Sequence, residues 1–235
     1  MTERAGRTAS GAAGVMCVLA CVAVGCGKPV DGKDIRTDTA SSTTATATIS
    51  GAPRRSDPAE PVPGVETTLP DHIPPNALVC FPPTGPSGRM TPASVPDPVA
   101  PKLTVAIPDG WNSAPGTDAV ALTATGPSGL SLRVTITATD LEPGGAFLRY
   151  GADLRSAEPG VQDTVTGAQF CGYSSQLLSG TIGGPAGVAF ADRIAHIWTN
   201  TKVYLVAVHV QGPAGAPGFD AAKSTAMQQF AVVIP

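Results

Sequence analysis

Between residues 103 and 211 the chain alternates apolar and polar positions in short runs, each stopped by glycine or proline. Leu103, Val105 and Ile107 alternate with Thr104 and Ala106 up to Pro108-Asp109-Gly110, which reads as a strand and a turn. Residues 119–125 give a second strand, closed by Gly126-Pro127-Ser128-Gly129. Leu132, Val134, Ile136 and Ala138 alternate with Arg133, Thr135, Thr137 and Thr139, the pattern of a strand with one buried and one wet face. The period then lengthens: Phe147, Tyr150, Leu154 and Ala157 recur at helical spacing until Pro159-Gly160. Residues 169–182 supply one or two strands, and 188–199 with 202–211 form a hairpin about Asn200-Thr201. Phe219, Ala222, Ala226 and Phe230 mark a last amphipathic helix. The order β-β-β-α-β-β-β-α predicts an α+β fold: an antiparallel sheet of about six strands with two helices packed on one face.

A two-residue turn at Asn200-Thr201 fixes the hairpin register. It sets Trp198 opposite Val203, His196 opposite Leu205 and Asp192 opposite His209. One face then carries Trp198, His196, Ile194, Asp192, Leu205, Ala207 and His209. The other carries Ile197, Ala195, Arg193, Tyr204, Val206, Val208 and Val210. The second is more continuously apolar and is expected under the helices. The first mixes an aromatic ring with polar groups, as a binding surface needs, so Trp198, His196, Asp192 and His209 are the candidate binding face. The same register keeps the two histidines about 13 Å apart along the ladder, too far to share a metal ion. A cross-strand His209–Asp192 pair is expected.

Upstream of the strands the pattern disappears. Residues 37–48 are almost wholly Thr, Ser and Ala, and every Trp, Tyr and Phe lies at or beyond Phe81. Such a stretch has too little apolar area to offset its ordering entropy, so residues 26–79 are expected to be a disordered Thr/Ser/Pro-rich tether ahead of a domain at 80–235, with its core at 101–235. A random-coil tether of this kind spans about 35–40 Å. Its Ser, Thr and Pro content also suits an O-glycosylated stalk.

The first 25 residues have the anatomy of a secretory signal. Arg4 and Arg7 precede a short apolar stretch that ends in Ala23-Val24-Gly25-Cys26. That ending resembles a bacterial lipobox, with Ala23 where Leu, Val or Ile is usual, and it implies cleavage before Cys26 and acylation of that cysteine. Val18-Leu19-Ala20-Cys21 is a second such sequence, with a shorter apolar stretch before it. Two or three acyl chains hold a protein stably at a membrane where one does not. The predicted location is therefore the outer face of the cell membrane, within the cell envelope.

Charge and composition narrow the classes further. The chain has 235 residues, a net charge of -3, and 14% charged residues. That balance excludes a broad electrostatic grip on nucleic acid. No G-x-S-x-G, S-x-x-K, P-loop, H-E-x-x-H or C-x-x-C pattern is present, and no cofactor or catalytic residue is expected. The acidic pairs Asp140/Glu142 and Asp153/Glu158 fall in turns or at helix ends and read as solvated groups.

Ile107-Pro108-Asp109-Gly110-Trp111, the central helix, the Gly172-Tyr173-Ser174-Ser175 turn, the hairpin and the last helix resemble the LpqN/LpqT-type lipoproteins of actinobacteria. Their fold is similar to the Mog1/PsbP-like sandwich. The resemblance covers roughly residues 101–235 and implies a membrane-anchored surface protein that acts by binding, without a catalytic centre. The expected partner is an envelope protein or a glycolipid. The alternative is a carrier that encloses an acyl chain between sheet and helices.

Cys80 and Cys171 are the two cysteines that remain beyond Cys26. In an exported protein they are expected to form a disulfide; two buried free thiols are the alternative.

Overall fold

The computed structural model describes residues 61–66, 73–81, 84–85, 87–228 and 230–235. The expected signal, Cys26, Cys21 and most of the expected tether lie outside them.

Among these residues the fold is α+β and antiparallel, built from two sheets and two α-helices. The larger sheet has seven strands in the order β4 (Asn112–Pro115), β5 (Val120–Thr125), β6 (Ser131–Ala138), β10 (Val203–Pro213), β9 (Val188–Trp198), β8 (Ser175–Ile182) and β7 (Gln162–Gly167). The smaller has four, in the order β1 (Ala77–Cys80), β11 (Ala231–Ile234), β3 (Lys102–Ile107) and β2 (Arg89–Ala93). Helix α1 (Pro143–Ala157) follows β6, and α2 (Phe219–Ala226) follows β10.

The hairpin register is the one the turn dictates. Trp198 pairs with Val203, His196 with Leu205 and Asp192 with His209. Asn200 adopts φ 67, the left-handed conformation that a two-residue hairpin turn requires and that asparagine tolerates.

The expected single sheet with two helices on one face is corrected in two respects. First, β3 does not extend the large sheet. It pairs with β2 and β11 in a separate sheet that packs across the large one. There Leu103, Val105, Ile107, Val232 and Ile234 meet Val206, Val208, Val210, Ala195 and Ile197. Second, the helices lie on opposite faces. Ala222 and Ala226 of α2 join that same core, whereas Phe147 of α1 packs on Leu178, Ile194 and Ala207 on the other side. Alternation explains this. Both hairpin faces hold apolar side chains, so both need cover. Burying Phe147 alone contributes about 1.5–3 kcal/mol. The last helix also stops at Ala226 rather than reaching Phe230, because Ala231-Val232-Val233-Ile234 is β-branched and pairs with β3 and β1.

Helix α1 covers only part of its face. The side of β5 and β6 that points the same way carries Thr123, Thr125, Arg133 and Thr137, all exposed, as the alternation of β6 predicts.

The boundary of the tether is corrected too. Residues 77–79 belong to β1, and 61–66 form a strap along β8. Gly64 O accepts from Ser175 N at 2.8 Å, Pro63 O from Gln176 Nε2 at 2.8 Å, and Glu66 N donates to Ser174 Oγ at 2.8 Å. Val62 packs against the α1 core. The strap lies so close that a Cβ on Gly64 would sit 1.8 Å from Ser175 O, and Gly64 also has φ +75. Gly167 gives way on the other side, where an added Cβ would stand 2.7 Å from Gly64 N. Two glycines and three hydrogen bonds thus dock a segment whose composition reads as linker.

Candidate functional site

The expected binding face lies mostly beneath α1 and the strap. Asp192 is 0% exposed, His196 4% and His209 9%. Trp198 is half-buried against the core. The open polar face predicted from these residues is therefore corrected to an interior. Ile194 and Ala207 lie between the polar positions and draw Phe147 onto them.

Within that interior, Asp192 Oδ1 accepts from His209 Nδ1 at 2.6 Å and from the Tyr150 hydroxyl at 2.9 Å. His209 Nε2 faces Gln211 Oε1 at 3.0 Å. Both ring nitrogens thus meet oxygen acceptors, the arrangement that suits an imidazolium. Burial opposes the charged ring, but the hydrogen bond and charge of Asp192, with Gln211, outweigh it and hold His209 above its ordinary pKa. Burial, and then Asp192, push the Tyr150 hydroxyl well above its usual range. With Asp192 and Gln211 engaging its two ring nitrogens, His209 presents no free nitrogen to a substrate. The trio acts as a polar clamp that joins β9, β10 and α1.

His196 is built differently. Its Nε2 donates to Leu141 O at 2.9 Å, since a carbonyl can only accept. Its Nδ1 is a buried atom with no partner among the described residues. Burial pushes His196 below its ordinary pKa, against the Leu141 hydrogen bond and the charge of Glu142. Burial thus favours the neutral ring at His196, whereas Asp192 favours the charged ring at His209.

His196 also lines a cavity of about 730 Å³ at the rim of the large sheet. The walls come from the β6–α1 loop (Leu141, Glu142, Pro143), the strap (Val65, Glu66) and the hairpin end (Lys202, Val203). Each wall is fixed. The loop is held by the His196 bond and by Leu141 N donating to Thr139 Oγ1 at 3.2 Å. The strap is held by Ser174. The hairpin turn is held by Asn200, whose Oδ1 and Nδ2 pair with the backbone N–H and C=O of Ile73 at 3.1 and 2.7 Å. Lys202 Nζ is paired with Asp97 at 3.1 Å. Leu141 stands 47% exposed at the mouth. A preformed site of this size, with apolar walls and a few polar groups, falls in the range of small-molecule pockets.

Of the residues expected to form a site, the structure brings together Asp192 with His209, and places His196 alone on the cavity. Trp198 joins neither group. Cys80 and Cys171 are bonded to each other, with Cα atoms 5.6 Å apart. Cys26 lies outside the described residues. Sequence reasoning missed Leu141, Val65 and Glu66. The one signal for the first was a lone leucine between two acidic residues just before the helix-starting Pro143.

No family model matches the sequence, and no curated protein matches it. Among solved structures, the crystal structure of LpqN, involved in cell envelope biogenesis of Mycobacterium tuberculosis, is similar over 63% of this chain and 91% of that one, with 16% identity and a TM-score of 0.48.

Proposed function

We propose that this chain is a non-enzymatic binding protein of the cell envelope, anchored on the outer face of the membrane through acyl chains on Cys26, and that an envelope protein or glycolipid partner engages it at the rim cavity. The cavity carries this reading: it is preformed, and its three walls are pinned by separate hydrogen bonds. The signal and lipobox-like sequence support the location, as does a Cys80–Cys171 bond suited to an oxidising compartment. The engagement of both His209 nitrogens supports binding over acid–base chemistry. A carrier would need an acyl-sized space between sheet and helix; beside α1 the cavities are smaller than the rim cavity, about 350 Å³ along Val62, Phe147 and Leu178 and about 240 Å³ along Ala146, Tyr150 and Leu205.

A photo-crosslinking residue at position 141 tests the reading against one at position 123, on the open face of β5. In the membrane-bound protein, position 141 is expected to give a discrete adduct and position 123 none. Equal adducts from both positions, or an adduct from 123 alone, would contradict it.

A further inference from the structure

Ser174, Ser175 and Gln176 are three consecutive polar residues, and all three are buried. Each meets the strap once, and always at a backbone group. Ser174 Oγ accepts from Glu66 N, Ser175 N donates to Gly64 O, and Gln176 Nε2 donates to Pro63 O. None of these bonds reads a strap side chain. Of the strap itself only Val62 and Gly64 are half-buried; Pro61, Pro63, Val65 and Glu66 are exposed. Val62 enters a slot beside Phe147 and Leu178 without filling it. About 350 Å³ stays open there, bordered by the exposed Leu148 and Val165. A row of buried groups that reads backbone alone, next to one apolar slot, is the layout of a site for an extended peptide.

We infer that the groove between α1 and the β7–β8 pair is a peptide-binding site, that the strap is its resident ligand, and that a segment of a partner protein replaces the strap. The chemistry of that segment is read from the strap: an extended chain with an apolar residue two places before a glycine. The apolar residue enters the slot at Phe147 and Leu178. The glycine is required, because a Cβ would stand 1.8 Å from Ser175 O and the backbone there has φ +75. The strap keeps its place largely by belonging to the same chain, which gives it a high effective concentration. Its departure leaves no polar group stranded, since water serves Ser174, Ser175 N and Gln176 once they are uncovered. The space left beside Val62 favours the replacement: a longer apolar side chain buries more area there than valine does.

Three fluorescein-labelled peptides test this by fluorescence anisotropy: a copy of residues 60–67, Glu-Pro-Val-Pro-Gly-Val-Glu-Thr, the same with leucine for its first valine, and the same with alanine for its glycine. They are titrated with the full chain and with full-length Gly64→Ala, whose own strap cannot seat. Gly64→Ala is expected to bind the copied peptide at least about tenfold more tightly than the unaltered chain, where the strap competes in cis. The leucine peptide is expected to bind about fourfold more tightly again, the worth of one more buried methylene. The alanine peptide is expected to bind neither chain. Val62→Ser, which draws the strap out of the slot and alters nothing beneath it, is the second variant and is expected to behave as Gly64→Ala does. Equal binding to altered and unaltered chains, an alanine peptide that binds as well as the glycine one, or a leucine peptide weaker than the copy overturns the inference. So does a lack of binding to both variants, which would make the strap a fixed part of the fold.

Discussion

Replacing both Cys80 and Cys171 with alanine is expected to lower the unfolding free energy by up to about 4.6 kcal/mol, the chain-entropy value for a loop of this length. The bond spans 91 positions and joins the edge strand β1 of the small sheet to the turn that precedes β8 of the large one. Without it, the unfolded chain is released from a closed loop of 91 positions and gains conformational entropy. The surroundings retain part of the joint. Phe170 and Phe230 pack at a tilt of 43° with centroids 4.4 Å apart, and the Arg193 guanidinium lies 5.5 Å from the Phe170 ring while donating to Met227 O and Gln169 O. The native fold should therefore survive, with a melting temperature lowered by roughly 10–18 °C for a domain of this size. Differential scanning calorimetry of the double variant checks this. An unchanged melting temperature would show that the bond constrains nothing.

The second large effect is expected at Asp192. Asp192→Ala removes the acceptor shared by His209 and Tyr150 and leaves an imidazolium and a hydroxyl buried without it. Breaking one side of a buried ion pair costs about 3–5 kcal/mol. The cost depends on pH in a set direction. The folded pKa of His209 is raised, so its contribution is complete below the ordinary imidazole value near 6.5 and is lost as pH rises through the raised value. His196 works the other way. Its lowered pKa gives a contribution present above 6.5 and lost as pH falls below it. The unaltered protein carries both trends. Asp192→Ala deletes only the first, so its deficit should be larger at pH 5.5 than at pH 8.5. Urea unfolding at the two pH values reads the difference. An equal deficit at both, or none, would contradict a charged His209. Amide exchange in α1 should also quicken in the variant, since Tyr150, along with the Arg155–Asp163 pair, is a polar link from the helix to the sheet.

How much of this was legible in the sequence depended on whether one short signal settled a long-range arrangement. The Asn200-Thr201 turn did so: its register placed Asp192 beside His209 without further information. The clear alternation of β6 likewise foretold its buried Leu132, Val134 and Ile136 and its exposed Arg133 and Thr137, while Ala138, expected on the apolar face, is exposed at the strand end. The edge strands carried no such signal. Asn112-Ser113-Ala114-Pro115 has no apolar period, and β7 presents almost only exposed polar positions; pairing defines these strands, not pattern. Phe230 fits the spacing of α2 and hid the start of β11. Alternation on the hairpin gave two faces but not what covers each, because β3 and β11 reach one of them from distant parts of the chain. The strap was hidden by its composition, since its docking rests on Gly64, Gly167 and backbone groups rather than on apolar side chains. At the cavity, His196 stood out as a residue type. Its surroundings did not, because Glu66, Leu141 and Lys202 come from three separate segments that meet only in the folded chain.

The functional reading turns on acylation at Cys26, which would put the rim cavity at work on the membrane surface. Growing cells that express the chain with an alkyne-tagged fatty acid tests this most directly. The unaltered chain and Cys21→Ser are expected to take up the tag, and Cys26→Ser to remain untagged. Equal tagging of Cys26→Ser, or an untagged mature chain in every case, would contradict it.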